Sequence, residues 1–394
     1  MTKKDRSLSS RLSLLRCENY RLPELEERLG EGFAGIGFDR TFLRGRRVLI
    51  KPNLLSASPP ETAIVTHPEF FRAVLRFVKN GGGRPILVES PAFQPLKKVL
   101  EKTGYGRVLE EEGCEVADTR ETSTLFYEEG RGFRRFELPK ALFEADLVLN
   151  LPKFKTHSLT YITGAVKNLF GFIHGLAKSR WHVRAPSRET FSGFLLDLYE
   201  ALLNGFEHPK PFIHVMDAVL AMEGEGPGRK GRPKKVGAMI LGEDALAVDA
   251  LAVELVGLDP RKVPMLLLGR ERGLGETLLE RYKLTHLNPG DFEIKGFQPS
   301  SSANRFDLGH WPTNTSFFKN LFIERPIPSE QRCTLCYRCM AICPAEAIER
   351  AANGEAVPRY DYGKCIRCYC CMEICPEGAV LLKRGRLQWV FGRS

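Results

Sequence analysis

The sequence predicts an α/β fold: a mostly parallel sheet with helices on both faces, followed by a small C-terminal α+β module. Three observations lead there. Strand-length apolar runs alternate with amphipathic helical stretches over most of the chain, the pattern of successive βαβ units. One of those runs, ADLVLNLPK, is apolar without alternation, as a strand buried on both faces is. Beyond residue 325 the texture changes to short segments around eight cysteines in two matched runs.

In chain order, 47–55 (RVLIKPNLL) reads as a strand running into a loop. Residues 66–83 carry an apolar face at helical spacing and end in three glycines, a helix stop. Residues 84–90 form the next strand, 94–112 a helical segment, and CEVADT a short strand. The buried-type strand is 145–153, and 161–173 (YITGAVKNLFGFI) reads as helix. A clear helix covers 191–203, PFIHVMDAV and AMILG are strands, and 243–257 is a helix. The α/β domain is assigned to 1–297. Residues 298–324, rich in Ser, Pro and Asn at their start, are a linker or docking segment in which Trp311 and FFKNLF pack the parts together. The module takes 325–394, and the basic tail LLKRGRLQWVFGRS reads as its closing strand.

The cysteine runs are CTLCYRCMAICP (Cys333, Cys336, Cys339, Cys343) and CIRCYCCMEICP (Cys365, Cys368, Cys371, Cys375), an internal repeat offset by 32 residues. Each is C-x2-C-x2-C-x3-C-P, the spacing that holds a 4Fe–4S cubane in bacterial ferredoxins. Zinc sites show paired CxxC with long spacers, and disulfides need no such matched runs. Over roughly 325–385 the chain resembles bacterial two-cluster ferredoxins, in which the fourth cysteine of a run ligates the other cluster. The resemblance implies two 4Fe–4S clusters, one on Cys333, Cys336, Cys339 and Cys375, the other on Cys365, Cys368, Cys371 and Cys343. Cys370, beside Cys371, is a spare thiol or a ligand after a one-residue slip. Cys17 and Cys114 read as ordinary cysteines.

No stretch approaches 18 apolar residues, so no membrane-spanning segment is expected. The N-terminus has no long apolar core of a signal peptide. Cubanes and free thiols point to a reducing cytoplasm. Lys and Arg total 58 against 48 Asp and Glu, a formal charge of +10. The module has eleven Lys/Arg and seven Asp/Glu, with Arg338, Lys364 and Arg367 in or beside the cysteine loops. Such a field attracts an acidic electron donor of the ferredoxin or flavodoxin kind.

Three strand ends carry unusual chemistry: Lys51 and Asn53; Asn150, Lys153, Lys155, Thr156 and His157; and Asp217 with 223–227. From Leu147 to Arg188 there is no Asp or Glu, although the window holds seven Lys/Arg and three His. At the chain's average acid content about five carboxylates would be expected there. Apolar residues and glycines interrupt the run, which suits a pocket better than a tail. Such a field binds carboxylate or phosphate. Lys153, Lys155 and His157 alternate in extended chain and share one face. Lys167 and Asn168 begin the next helix. These segments resemble the domain of unknown function 362 family over roughly 45–260: Lys-Pro-Asn at 51–53, Pro-Lys-x-Lys-Thr-His at 152–157, Lys-Asn-x-x-Gly at 167–171, and Asp-x-Val-x-x-Met-x-Gly-x-Gly-Pro at 217–227. Asp249 in LAVDA fits a late acidic stretch. Members often carry a C-terminal ferredoxin module, and the resemblance implies architecture rather than a reaction.

Weaker matches carry less. GEGFAG at 30–35 follows a charged helical segment rather than a strand, against a dinucleotide turn. No flavin or nicotinamide motif and no P-loop is present. GRKGRPKK at 228–235 is similar to a minor-groove AT-hook but reads as a basic loop flanking a site. The sequence thus predicts an iron–sulfur oxidoreductase. An anionic small molecule is held by Lys51, Asn53, Lys153, Lys155, Thr156, Lys167, Asn168 and Asp217, with His157, His182 and Lys155 acting on it. An electron-transfer subunit docking a larger enzyme, or an iron–sulfur protein acting on nucleic acid, are the alternatives; sparse aromatic interleaving disfavours the latter.

Overall fold

The computed structural model describes residues 11–92, 94–175, 177–301 and 324–383. The strands of the α/β domain are β1 (Arg11–Arg16), β2 (Arg47–Pro52), β3 (Arg84–Leu87), β4 (Glu115–Val116), β5 (Thr122–Phe126), β6 (Arg135–Pro139), β7 (Leu147–Leu151), β8 (Lys153–His157), β9 (Tyr161–Thr163), β10 (Phe212–Gly224), β11 (Gly231–Gly242) and β12 (Lys283–His286). Ten of them form one sheet, ordered β12-β1-β11-β10-β7-β2-β3-β4, with β8 and β9 branching from β10. From β10 to β4 every main-path pairing is parallel; β11 runs antiparallel to both β10 and β1. β5 and β6 make a separate hairpin.

Strand alternation splits the apolar side chains between two cores. Val48, Ile50, Leu147 and Leu149 enter one, where Leu25, Leu29 and Phe33 of helix Leu22–Gly35 meet Phe70, Phe71 and Val74 of helix Pro68–Asn80. Leu49 and Val148 enter the other, beneath helices Arg188–Asn204, Ala245–Leu255 and Pro264–Glu271. Helices therefore cover both faces of a sheet buried on both sides.

Three local outcomes differ from the sequence reading. The apolar run 145–153 breaks at Pro152, which separates β7 from β8; proline has no N–H to continue the ladder. Residues 161–173 are not one helix. Tyr161, Ile162 and Thr163, all strand formers, pair with β8, and Tyr161 turns the chain with φ 70°. Helix begins only at Ala165 and runs to Asn168, and a 3-10 turn, Leu169–Phe172, follows. PFIHVMDAV and AMILG belong to the long hairpin β10–β11, whose tip carries the start of the GRKGRPKK run. GEGFAG lies at the end of helix Leu22–Gly35, not after a strand.

The module repeats itself as its sequence does. Arg325–Pro328 pairs antiparallel with Val380–Lys383, and Ile348–Glu349 with Arg359–Tyr360. Each cysteine run turns into a five-residue helix, Arg338–Ile342 and Cys370–Ile374. Trp311, FFKNLF and most of the basic tail lie outside the described residues. Among the described residues no helix is long and apolar enough to cross a membrane.

Candidate functional site

The cysteine loops share one backbone conformation. Leu335 and Tyr337 flank Cys336 with φ of 52° and 55°, and Arg367 and Tyr369 flank Cys368 with φ of 62° each. Left-handed residues on both sides of a cysteine turn successive N–H groups inward, the concavity that receives sulfide and other anions. Cys343 accepts a hydrogen bond from the Ala347 N–H (3.3 Å), and Cys375 one from the Ala379 N–H (3.1 Å). Cys333, Cys336, Cys339 and Cys375 line one cavity. Burial, then the neighbouring Cys368 and Cys365, push the Cys343 thiol up. The chemistry of the donors fits 4Fe–4S clusters: inward N–H groups, N–H···S bonds and thiols drawn together across the repeat. Cys370 is buried, and it hydrogen-bonds Cys368.

The lysine-rich strand ends meet the second cysteine loop. A cavity of about 110 Å³ has Lys51, Asn53, Lys167, Asn168, Lys178 and His182 on the α/β side, and Ile342, Cys370, Glu373 and Ile374 on the module side. It opens at the carboxyl ends of β2 and β3, the ligand-binding edge of open α/β sheets. Side-chain amides fix its wall. Asn150 Nδ2 donates to the Ala165 carbonyl (3.0 Å) and Asn168 Nδ2 to Asn150 Oδ1 (2.8 Å). Asn53 Nδ2 donates to Asn168 Oδ1 (2.9 Å), and Lys155 Nζ to Asn53 Oδ1 (2.7 Å). Asp249 accepts the Ala165 and Val166 N–H groups, capping the short helix that presents Lys167; burial raises its carboxyl to about 7.

The lysines fall into two groups. Lys51 donates to Glu89 Oε2 (2.7 Å), and Lys153 to Asp217 Oδ2 (2.9 Å) and the Tyr20 hydroxyl (2.8 Å). These are buried ion pairs. Among the described residues Lys155 has only neutral acceptors, Asn53 and the Ile64 carbonyl, and burial, reinforced by Lys167, drives its pKa far down. Burial lowers Lys167 against the partial compensation of Glu373. It lowers Lys178, bonded to the Ser90 carbonyl, to about 7. Both line the cavity without a carboxylate bonded to them among the described residues.

Glu373 is the module's contribution to this field. Its carboxylate lies 3.2 Å from His157 Nε2. Burial alone would raise it, but His157, Lys167 and His182 outweigh burial and hold it at about 2. His157 Nδ1 accepts from the Leu159 (3.0 Å) and Thr160 (3.4 Å) N–H groups, so the proton sits on Nε2 and faces Glu373. Burial and Lys167 take His157 to about 4, and burial takes His182 to about 3. Both imidazoles are neutral near pH 7. His182 stacks on Phe191, ring centroids 4.3 Å apart, and its buried Nδ1 has no hydrogen-bond partner among the described residues.

Of the residues predicted from sequence, Lys51, Asn53, Lys167, Asn168 and His182 line the cavity, while Lys153, Lys155, Thr156, His157 and Asp217 stand behind it or at the module contact. Thr156 bonds the Met222 carbonyl (3.4 Å). Asp217 is fully buried and accepts from Lys153, Tyr20 and the His67 and Val219 N–H groups. Sequence reasoning missed Glu89, Ser90, Lys178 and Glu373. Lys178 had a signal, its place in the carboxylate-free window; the other three had none.

A sequence profile of the domain of unknown function 362 matches residues 48–254. The chain belongs to that family. A profile of the 4Fe-4S dicluster domain matches 325–376, so the module is an iron–sulfur cluster-binding domain. Within curated proteins, this family member is 30% identical over 315 residues to a thylakoid-associated protein of Synechocystis sp., covering 79% of this chain and 94% of that one. Among solved structures it is similar to a Thermotoga maritima protein (TM-score 0.40, 12% identity, 61% of this chain and 60% of that one). It is also similar to the lactate racemase apoprotein of Thermoanaerobacterium thermosaccharolyticum (TM-score 0.35, 15% identity, 60% of this chain and 54% of that one). The chain spans less than two thirds of either solved chain.

Proposed function

We propose that this family member is an iron–sulfur oxidoreductase that delivers low-potential electrons to a small anionic substrate held between its two parts. The observation that carries the reading is the shared cavity: cationic residues of the α/β domain form one wall, and the second cysteine loop, through Cys370, Glu373 and Ile374, forms the other. A ligand there lies against the loop that would hold a cluster.

The cysteine ligands are proposed as the two crossed sets, Cys333, Cys336, Cys339 with Cys375, and Cys365, Cys368, Cys371 with Cys343. Two bound cubanes supply single electrons at low potential. Lys167 and Lys178 bind the anionic group and offset charge that builds on the substrate as it is reduced. Asn53 and Asn168, locked by the amide chain, orient it. Lys178, with its pKa near 7, is matched to proton delivery at neutral pH; His157 and His182, held neutral, are hydrogen-bond donors rather than acids. Lys155 sets the position of Asn53. At about 110 Å³ the cavity takes a compact carboxylate rather than a nucleotide.

The test is anaerobic. Iron and sulfide are counted, and the electron paramagnetic resonance spectrum of the reduced protein is followed while acetate, pyruvate or phosphate is titrated in. Wild type should show a saturable change that Lys167→Met and Lys178→Met weaken about tenfold or more, as loss of a charge-assisted hydrogen bond would. Saturation unaltered by both substitutions would place the anion elsewhere.

A further inference from the structure

A second groove, distinct from the substrate cavity, lies where helix Leu96–Thr103, the tip of the β10–β11 hairpin and the first turn of helix Arg338–Ile342 come together. It encloses about 330 Å³ and is lined by Lys98, Lys102, Arg229 and Arg338, with Cys375 among its walls. Lys98, Lys102 and Arg229 are exposed. Among the described residues, none of the four cations is paired with a carboxylate. Glu373 also lines the groove, but its carboxylate is turned to His157 at 3.2 Å. The hairpin tip is packed on the module here: a Cβ on Gly228 would stand 3.2 Å from the Glu373 carbonyl oxygen, and one on Gly378 would stand 3.8 Å from Lys230 Cγ. Part of the GRKGRPKK run, unused by the substrate cavity, thus forms a wall beside Cys375. Cys336, of the same crossed ligand set, is exposed.

We propose that this groove docks a small acidic one-electron carrier protein, which loads the cluster on Cys333, Cys336, Cys339 and Cys375. The inference rests on the proposed crossed ligation and assigns that cluster as the entry point. The substrate cavity meets the other ligand set, through Cys370 beside Cys371 and Ile342 beside Cys343. The chain therefore has an electropositive entrance on one cluster and a reacting site on the other. Four cations without a carboxylate partner among the described residues, set around a concave mouth, focus field lines and speed the encounter with an oppositely charged partner. Electron transfer needs such a contact only briefly, so a modest, charged interface suffices. Nucleic acid would meet the same charges. Among the described residues the groove lining contains no aromatic side chain for base stacking, and its wall is a cysteine loop that such a ligand has no use for.

The experiment measures the second-order rate at which the cluster-loaded protein, without substrate, is reduced anaerobically by a purified, strongly acidic two-cluster ferredoxin. A viologen with a single sulfonatopropyl group, neutral in its one-electron-reduced form, is the comparison reductant. In Lys98→Glu/Lys102→Glu/Arg229→Glu the ferredoxin rate should fall at least tenfold at low ionic strength, with its salt dependence lost. The viologen rate and the cluster spectra should stay within twofold of wild type. Charge-neutral Lys98→Gln/Lys102→Gln should fall in between. An unchanged ferredoxin rate, an equal slowing with both reductants, or salt-sensitive binding of a DNA duplex at this patch with the ferredoxin rate unmoved would overturn the docking assignment. These outcomes leave the substrate cavity untouched. Protein that binds no iron and sulfide would overturn the cluster reading and this inference together.

Discussion

Lys153 separates a structural lysine from a binding one. Its ammonium is buried between Asp217 and Tyr20, with contacts of 2.9 and 2.8 Å. Lys153→Met removes the cation and leaves a fully buried carboxylate. Asp217 keeps three donors, Tyr20 (2.8 Å) and the N–H groups of His67 (3.0 Å) and Val219 (3.3 Å), but no positive charge bonded to it. Stripping one partner from a buried pair costs about 3–5 kcal/mol, and the remaining donors set the expectation at the lower end, about 3 kcal/mol. At roughly 2 °C per kcal/mol for a large domain, the anaerobic thermal midpoint, followed by far-ultraviolet circular dichroism at one scan rate, should fall by about 6 °C. Lys153→Met/Asp217→Asn should fall short of the sum of the single changes by about 1–3 kcal/mol, the coupling of residues in contact. Anion affinity should stay within twofold, because Lys153 does not line the cavity. A variant that melts within about 1 °C of wild type yet binds the anion tenfold more weakly would refute the assignment of Lys153 to the framework.

Four further outcomes test other parts. Lys178, lowered from 10.5 to about 7 by burial, is cationic below that pH and neutral above, so anion affinity should decline as pH rises through about 7, and the decline should vanish in Lys178→Met. The same shift means the unfolded chain holds a proton that the fold has released between about 7 and 10.5, so Lys178 makes stability rise with pH across that window; a flat slope difference between wild type and Lys178→Met would contradict it. Gly171→Ala would drive a Cβ against Lys51 Cε and Nζ, 3.0 Å from Glu89 Oε1, and the forced repacking should cost about 1–3 kcal/mol, read as a lower thermal midpoint. Cys370→Ser should leave iron and sulfide counts at wild-type values, whereas Cys371→Ser should lower them; the reverse result would put Cys370 in the ligand set.

The fold was legible where local pattern and burial agree. The alternation of apolar strands with helices announced a two-faced sheet, and Val48/Leu49/Ile50 divide between its cores as a two-residue period requires. Legibility failed where a few residues take their structure from a neighbour. Tyr161–Thr163 look continuous with the helical segment after them, but β8 offers a free edge and strand formers take it. The span of the β10–β11 hairpin was hidden because its outer half carries the polar GRKGRPKK run, whose backbone is satisfied by pairing such as Glu223 with Arg232 rather than by a hydrophobic pattern.

The site shows the same limit in electrostatic form. A window without carboxylates reveals cations, but not which of them are neutralised from a distance. Lys51 and Lys153 find Glu89 and Asp217, which lie outside the window in sequence, and their charge is spent on the framework. Lys167 and Lys178 find no carboxylate bonded to them among the described residues. The charge that most offsets the burial of Lys167 is Glu373, contributed by the cysteine loop of the other part. That loop thus supplies both the proposed electron donor and the counter-charge of the cavity. A bound anion would take over part of Glu373's role beside Lys167, so ligand entry and the seating of the module on the α/β domain draw on the same cations. Neither the affinity nor the electron path can then be assigned to one part alone, and Glu373→Gln should alter both the anion titration and the midpoint potential of the adjacent cluster, whereas a change at a purely structural carboxylate would move neither.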